Sequence, residues 1–280
     1  SSSTYGDHPA LPKVEDRMNM RWLARASGFT GAGGQSSARA MENHLRKVRL
    51  QIQSLHSQLF YRPLLNSVVN LSVDAMKLSP EAAKLQLGAL GYQHPVRAYE
   101  HLTALASGTS RKAKIQAMLL PTLMEWLSQT ADPDAGLLNY RKLSDAAYDR
   151  SWFLRMLRDE GVVGQRLMRI LGTSPYTAEL IIATPDFVAE LGDGATGPKL
   201  LETAPDRVCK ALKATVARHD DPDRAIQAAR SLRRQELARV ASADLLNMLT
   251  VQEVCHSLSL VWDAVLDAAL EAEIRAATAD

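Results

Sequence analysis

Only two cysteines, Cys209 and Cys255, occur in 280 residues. That is too few, and too widely spaced, for the disulfide framework on which small secreted domains rely. Both are read as reduced, packed thiols of a cytoplasmic protein. Aromatic residues make up 5% of the chain, and β-branched residues are sparse beside alanine and leucine. This bias disfavours strands and favours helices. Neither sign of charge is in excess: 33 basic residues face 31 acidic ones, for a net +2. A nucleic-acid binder is expected to carry a basic surplus, so no nucleic-acid partner is expected. No apolar run reaches the 18 or so residues that span a bilayer, and Ser1–Asp7 has no apolar signal core, so no membrane partner is expected either. No segment alternates as a strand does, and no 30–45-residue period suggests a solenoid.

What is present is helical patterning. The expected fold is all-α, an irregular multi-helix bundle with long C-terminal helices and no sheet. Residues 1–13, with Gly6, Pro9 and Pro12, read as a tail or linker. A short helix is predicted over Val14–Ser27, then a loop over Gly28–Gln35. A long helix over Ser37–Tyr61 follows, ended or kinked by Pro63. Its apolar residues Met41, Leu45, Val48, Ile52, Leu55 and Leu59 recur at 4-3-4-3-4 spacing, the seam of a helix packed along most of its length. Helices are predicted at Pro80–Leu90, capped by Ser79 with Pro80 in its first turn, and at Pro95–Ser107 and Ser110–Thr130. Next come shorter ones, each started by a capping residue before proline: Asp132-Pro133, Ser174-Pro175, Thr184-Pro185 and Asp221-Pro222. Gly161, Gly172 and Gly192 are read as stops. The last two helices, Pro222–Met248 and Val251–Ala277, are each roughly 40 Å long at 1.5 Å per residue. A boundary near Ala106–Arg111 divides a segment 14–107 from a domain 108–280.

Candidate chemistry is thin. Asp132-Pro133-Asp134 and Asp221-Pro222-Asp223 have the spacing of carboxylate pairs that hold Mg²⁺. With proline between them at a helix start, they read more simply as caps that complement the helix dipole. Gly31-Ala32-Gly33-Gly34 follows no strand and lacks the Gly-Lys-Ser/Thr ending of a phosphate loop. Cys255-His256 and the histidines at 8, 44, 56, 94, 101 and 219 show no zinc spacing, and adjacent helical residues point about 100° apart. No catalytic, cofactor-binding or metal-binding residue is expected.

One oddity stands out. With Ile226 at zero on a helical wheel, Ala229, Leu237, Val240, Ala241 and Met248 lie within about 60° of it, together with Arg230, Arg233 and Asp244. Charges on an apolar stripe need partners. Arg233 and Asp244 stand eleven residues apart, roughly 16 Å along the axis, and cannot pair directly. Either neighbouring helices supply the partners, or this face meets another domain or a ligand. Arg230, Arg233, Asp244 and Trp262 are therefore the predicted interdomain contacts.

Longer motifs point to a family. Leu119–Asp145 (LLPTLMEWLSQTADPDAGLLNYRKLSD), Trp152–Gly161 (WFLRMLRDEG), Gln165–Asp193 (QRLMRILGTSPYTAELIIATPDFVAELGD) and Asp221–Leu246 (DPDRAIQAARSLRRQELARVASADLL) resemble the bifunctional glutamine synthetase adenylyltransferase/adenylyl-removing enzymes of actinobacterial type. Arg21–Phe29 (RWLARASGF) and Leu59–Leu64 (LFYRPL) resemble the stretch that closes the first half of that family. The resemblance implies two nucleotidyltransferase domains joined by a helical region. One attaches AMP from ATP to a tyrosine of glutamine synthetase, and the other removes it by phosphorolysis. Glutamine and the PII signal protein set the balance, and ATP and Mg²⁺ serve the parent enzyme. The family's catalytic signature, a Gly-Ser/Gly strand turn followed by an Asp-x-Asp metal pair, does not occur in this sequence, where both Asp-Pro-Asp strings read as helix starts, so no catalytic residue carries over. The chain is expected to begin after the first catalytic domain, to stop just before the second, and to be inactive alone. Its last helix is expected to expose Val261, Trp262, Val265, Leu266, Ala269 and Leu270. The alternative is a free-standing helical adaptor for a protein partner.

Overall fold

The computed structural model describes residues 17–30, 37–68, 79–202, 204–219 and 221–278. Among them the regular elements are all helical, as the composition requires. They are α1 (Arg17–Ala26), α2 (Ser37–Val68), α3 (Pro80–Ala89), α4 (Pro95–Ala106), α5 (Arg111–Ser128), α6 (Pro133–Ala146), α7 (Phe153–Asp159), α8 (Gly161–Leu171), α9 (Pro175–Ala183), α10 (Pro205–Ala217), α11 (Pro222–Leu245) and α12 (Val251–Thr278). Short 3-10 helices at Pro185–Leu191 and Lys199–Leu201 lie between α9 and α10. Extended pairing among the described residues is limited to one isolated bridge, Asp193 to Pro198.

The chain divides into two compact units, residues 1–58 and 59–280. In the first, Met20 and Ala24 of α1 bury against Met41 of α2, with Leu23, Phe29, Ala38 and Leu45 packed around them. The predicted α2 seam holds only at this end: Ile52, Leu55 and Leu59 are each at least 60% exposed. The helix also runs on through Pro63 to Val68 rather than ending near Tyr61. An interior proline costs about 3 kcal/mol. Tyr61, Leu64 and Leu65, all fully buried in the second unit, each regain about 1.5–3 kcal/mol, which outweighs it.

Most caps are where the sequence places them. Ser79 Oγ accepts from Ala82 N, Asp132 Oδ1 from Ala135 N and Ser174 Oγ from Thr177 N; Ser110 Oγ, which no sequence signal singled out, also caps through Ala113 N. Two readings are corrected. Thr184 caps nothing; its hydroxyl donates back to Leu180 O, and the proline after it opens a 3-10 helix. Gly161 is the first residue of α8, not a stop. The break falls at Glu160, whose amide closes α7 on Met156 O while its carbonyl accepts from Val163 N. Gly172 does end α8. A Cβ there would stand 2.2 Å from Thr130 Oγ1, so this close approach between two helix ends admits only glycine.

The core of the second unit runs from α2 through the 3-10 helices, with Leu120, Leu123, Met124, Leu127, Leu137, Tyr140, Phe153, Leu167 and Ile181 at its centre. Helix α11 enters it through Ala238 and Ala243. There Glu236 and Arg239, both buried, form an ion pair one turn apart. Arg239 Nε donates to Glu236 Oε2 at 2.8 Å, Nη2 to Glu236 Oε1, and Nη1 to Leu200 O at 2.7 Å. The N-terminal part of α11 packs instead with α10 and α12, around Leu212, Val216, Ala225, Ala229, Ala268 and Ala272.

Truncating Arg239 strands a buried carboxylate and the Leu200 carbonyl. Arg239→Met is therefore expected to destabilise the chain by about 3–5 kcal/mol, read from urea unfolding. Adding Glu236→Leu should recover most of that loss, because an apolar pair replaces the orphaned charge; a double variant no more stable than the single one would contradict this.

Candidate functional site

Two local devices build the α11–α12 hairpin. Asn247, at φ 56°, takes the left-handed conformation that asparagine tolerates. Met248 N then bonds to Ala243 O and Asn247 N to Asp244 O, a Schellman stop that ends α11 three residues short of the predicted Met248. Thr250 and Glu253 form a reciprocal capping box: Thr250 N donates to Glu253 Oε2 at 2.7 Å and Glu253 N to Thr250 Oγ1 at 3.3 Å. These bonds to Thr250 hold the Glu253 carboxyl below its ordinary pKa. Helix α10 clamps α12 further along. Lys213 pairs with Asp267 at 2.7 Å, Cys209 Sγ donates to Leu260 O at 3.1 Å, and Arg275 Nη2 donates to Val216 O at 3.1 Å.

The two faces of α12 then differ. Ser257, Val261, Ala264, Ala268 and Ala272 are buried. Leu258, Trp262, Leu266, Leu270 and Ile274 stand outward at every fourth position, with Trp262 58% and Leu270 61% exposed. Of the apolar residues expected at the surface, Val261 and Val265 instead pack inward. Beside the row lies an open cavity of about 470 Å³ lined by Arg233, Leu237, Leu258, Ser259, Val261 and Trp262. The Nε of Arg233 is buried there without a hydrogen-bond partner among the described residues. An apolar row with one half-satisfied guanidinium at its edge is suited to binding, by a surface that brings an apolar groove and an oxygen acceptor.

Of the four predicted contact residues, Arg233 and Trp262 meet in this cavity. Arg230 and Asp244 do not; both are exposed and form no ion pair among the described residues. The buried face of α11 lies about 100° from the one centred on Ile226. The buried positions Ala225, Ala229, Glu236, Ala238, Arg239, Val240, Ser242 and Ala243 centre there, so Arg230 and Asp244 project into solvent and need no partner. The charges that are buried, Glu236 and Arg239, went unnoticed because a wheel centred on large apolar residues ignores a turn of alanines.

The other candidates have structural roles. Asp134 accepts from Gln93 N at 2.6 Å and His94 N at 3.1 Å, so it closes the N-terminus of α4, which lacks a side-chain cap of its own. Asp221 accepts from Asp223 N at 3.2 Å. His101 Nδ1 meets Arg141 Nη1 at 3.0 Å, and burial followed by the Arg141 charge lowers the pKa of His101. His256 is exposed. His8 and Gly31–Gly34 lie outside the described residues. Among the described residues no three His, Cys, Asp or Glu side chains converge as metal ligands do, and no helix is long and apolar enough to cross a membrane.

Comparison with known proteins bears on the whole arrangement. The family model for glutamate-ammonia ligase adenylyltransferase matches residues 164–280, which includes α11 and α12. The chain is 97% identical over 270 residues to a bifunctional glutamine synthetase adenylyltransferase/adenylyl-removing enzyme of Corynebacterium efficiens. It is 86% identical to its counterpart in Corynebacterium glutamicum and 53% identical to that in Nocardia farcinica. Each alignment takes in 96% of this chain, but it spans only 26% of the first two relatives and 27% of the third. The names of these relatives do not favour a free-standing adaptor.

The two thiols sit in different surroundings. Cys255 is exposed, whereas burial, and after it the nearby Glu236 carboxylate, raises the pKa of Cys209. Iodoacetamide at neutral pH is expected to alkylate Cys255 first, by mass spectrometry of tryptic peptides, with the half-buried Cys209 following more slowly. Equal rates would show that α10 does not shield its thiol.

Proposed function

Because the chain belongs to the glutamate-ammonia ligase adenylyltransferase family, we propose that it is the central regulatory and linker region of an enzyme that adenylylates and deadenylylates glutamine synthetase in nitrogen regulation. Residues 108–280 form the central helical domain in this reading. Residues 14–107 close the N-terminal half of the enzyme, and residues 1–13 are a linker. The parent enzyme works in the cytoplasm. ATP and Mg²⁺ act at its two nucleotidyltransferase domains, with glutamine synthetase as the substrate and the PII protein as the regulator. Neither cofactor is assigned a catalytic place on this chain, which couples or spaces the two sites.

The outward row on α12 carries the reading. Leu258, Trp262, Leu266, Leu270 and Ile274 are large apolar side chains, each worth about 1.5–3 kcal/mol on full burial. A flanking nucleotidyltransferase domain of the same polypeptide is the occupant proposed for that face, with an oxygen acceptor for Arg233. Coupling between sites typically requires about 1–3 kcal/mol, so partial coverage of two such residues in one packing and not another is sufficient.

Trp262→Ser with Leu266→Ser, introduced into the longer polypeptide that carries this chain, tests the role. The ratio of adenylylation to deadenylylation should respond to glutamine by a factor changed about five-fold or more. The chain itself should keep its fold, since both residues are largely exposed. An unchanged ratio and an unchanged response would overturn the coupling role.

A further inference from the structure

Away from the α11–α12 face, the second unit contains a deeper cavity of about 570 Å³, within the range of small-ligand sites. It lies between the C-terminal end of α4, the N-terminal half of α5, the C-terminal end of α6, the turn after α6, and α7. Six cationic side chains line it: Arg111, Lys112, Arg141, Arg150, Arg155 and Arg158. Asp145 is the one acid among the lining residues. The chain as a whole has 33 basic and 31 acidic residues, so this concentration of one charge is local and not compositional.

The cations are not equally free. Arg150 is held by Asp186 and Asp149 at 2.7 and 3.0 Å, and Arg158 by Asp159 at 2.7 Å. Arg141 is directed to His101. Lys112 donates to the Tyr148 carbonyl and lies 4.0 Å from the centre of its ring. Arg111 and Arg155 form no hydrogen bond or ion pair among the described residues. At the base, Gln116 is 3% exposed. Its Oε1 is taken by the Tyr140 hydroxyl at 3.0 Å, while its amide nitrogen has only a long contact, 3.4 Å, to Ser144 Oγ. Ile115, Phe153 and Leu154 supply an apolar wall.

We propose that this cavity is a binding site for a small, multiply charged phosphate ester. Two unengaged guanidiniums match phosphate oxygens with paired N–H donors, four partly engaged cations add attraction, and the apolar wall with the Gln116 amide receives an organic body. A concave site of this volume holds a metabolite and not a macromolecular surface. The site is separate from the α12 face and does not rest on the docking role proposed for it.

The test is calorimetric titration of the whole 280-residue chain at low ionic strength with inorganic pyrophosphate, ADP and citrate. Pyrophosphate and ADP are both expected to bind. The double variant Arg111→Gln, Arg155→Gln should weaken each by about ten-fold or more, with circular dichroism and the unfolding midpoint unchanged. ADP binding more tightly than pyrophosphate would support a role for the apolar wall; equal affinity would support phosphate alone as the determinant. Citrate binding as tightly as either would overturn the phosphate assignment. Absent binding of both phosphate compounds, or binding insensitive to the double variant, would overturn the site.

Discussion

Two charges buried in the flank of α11, Glu236 and Arg239, determine where the C-terminal part of the second unit lies. Removing such groups from water costs several kcal/mol each, repaid only when the geometry satisfies them fully. Here Arg239 spends two donors on Glu236 one turn back and a third on the Leu200 carbonyl. The pair needs little chain ordering, because both residues share one helix. The Leu200 bond is what fixes register. Sliding α11 by a residue would rotate Arg239 by about 100°, withdraw it from that carbonyl and leave a buried cation half-satisfied. The helix is thereby pinned against the 3-10 turn Lys199–Leu201, and the direction in which α12 returns follows from it.

That constraint explains an inversion in α12. A helix packed on a core ordinarily turns its largest apolar residues inward. Here the inner face is Ser257, Val261, Ala264, Ala268 and Ala272, and the outer one Leu258, Trp262, Leu266, Leu270 and Ile274. The opposing residues of α11, Ala225 and Ala229, are equally small, and Leu212 and Val216 of α10 supply the larger side chains of this cluster. The side chains able to stabilise most on burial point away from the bundle. A row of this kind suits the interaction surface proposed for it, and the Nε of Arg233 at its edge, without a hydrogen-bond partner among the described residues, would give that surface a polar requirement as well.

Much of this was legible in the sequence, for local reasons. Helix class follows from composition, and the starts at Ser79, Asp132 and Ser174 follow from cap-and-proline chemistry that depends only on adjacent residues. Three features depend on distant partners and were misread. The chain continues as helix through Pro63 because Tyr61, Leu64 and Leu65 reach a core built from residues far along the chain. Asp134 serves α4, some forty residues before it. The buried face of α11 is set by alanines and by an ion pair whose third ligand is Leu200. At the candidate site, Trp262 was visible as part of an apolar helix and Arg233 as a charge out of place. Their meeting in one cavity required the hairpin geometry. The cationic cavity has no mark in the sequence, since its residues come from four helices and a turn.

In the proposed role the outer row of α12 is a covered surface in the longer polypeptide. Amide hydrogen exchange of the segment 251–278, followed in the isolated chain and in the longer polypeptide, addresses this directly. Docking predicts slower exchange through Leu258–Ile274 in the longer polypeptide, by about ten-fold or more for each 1.4 kcal/mol of added protection, while α5 and α8 exchange alike in both. Equal exchange of α12 in the two contexts would contradict it.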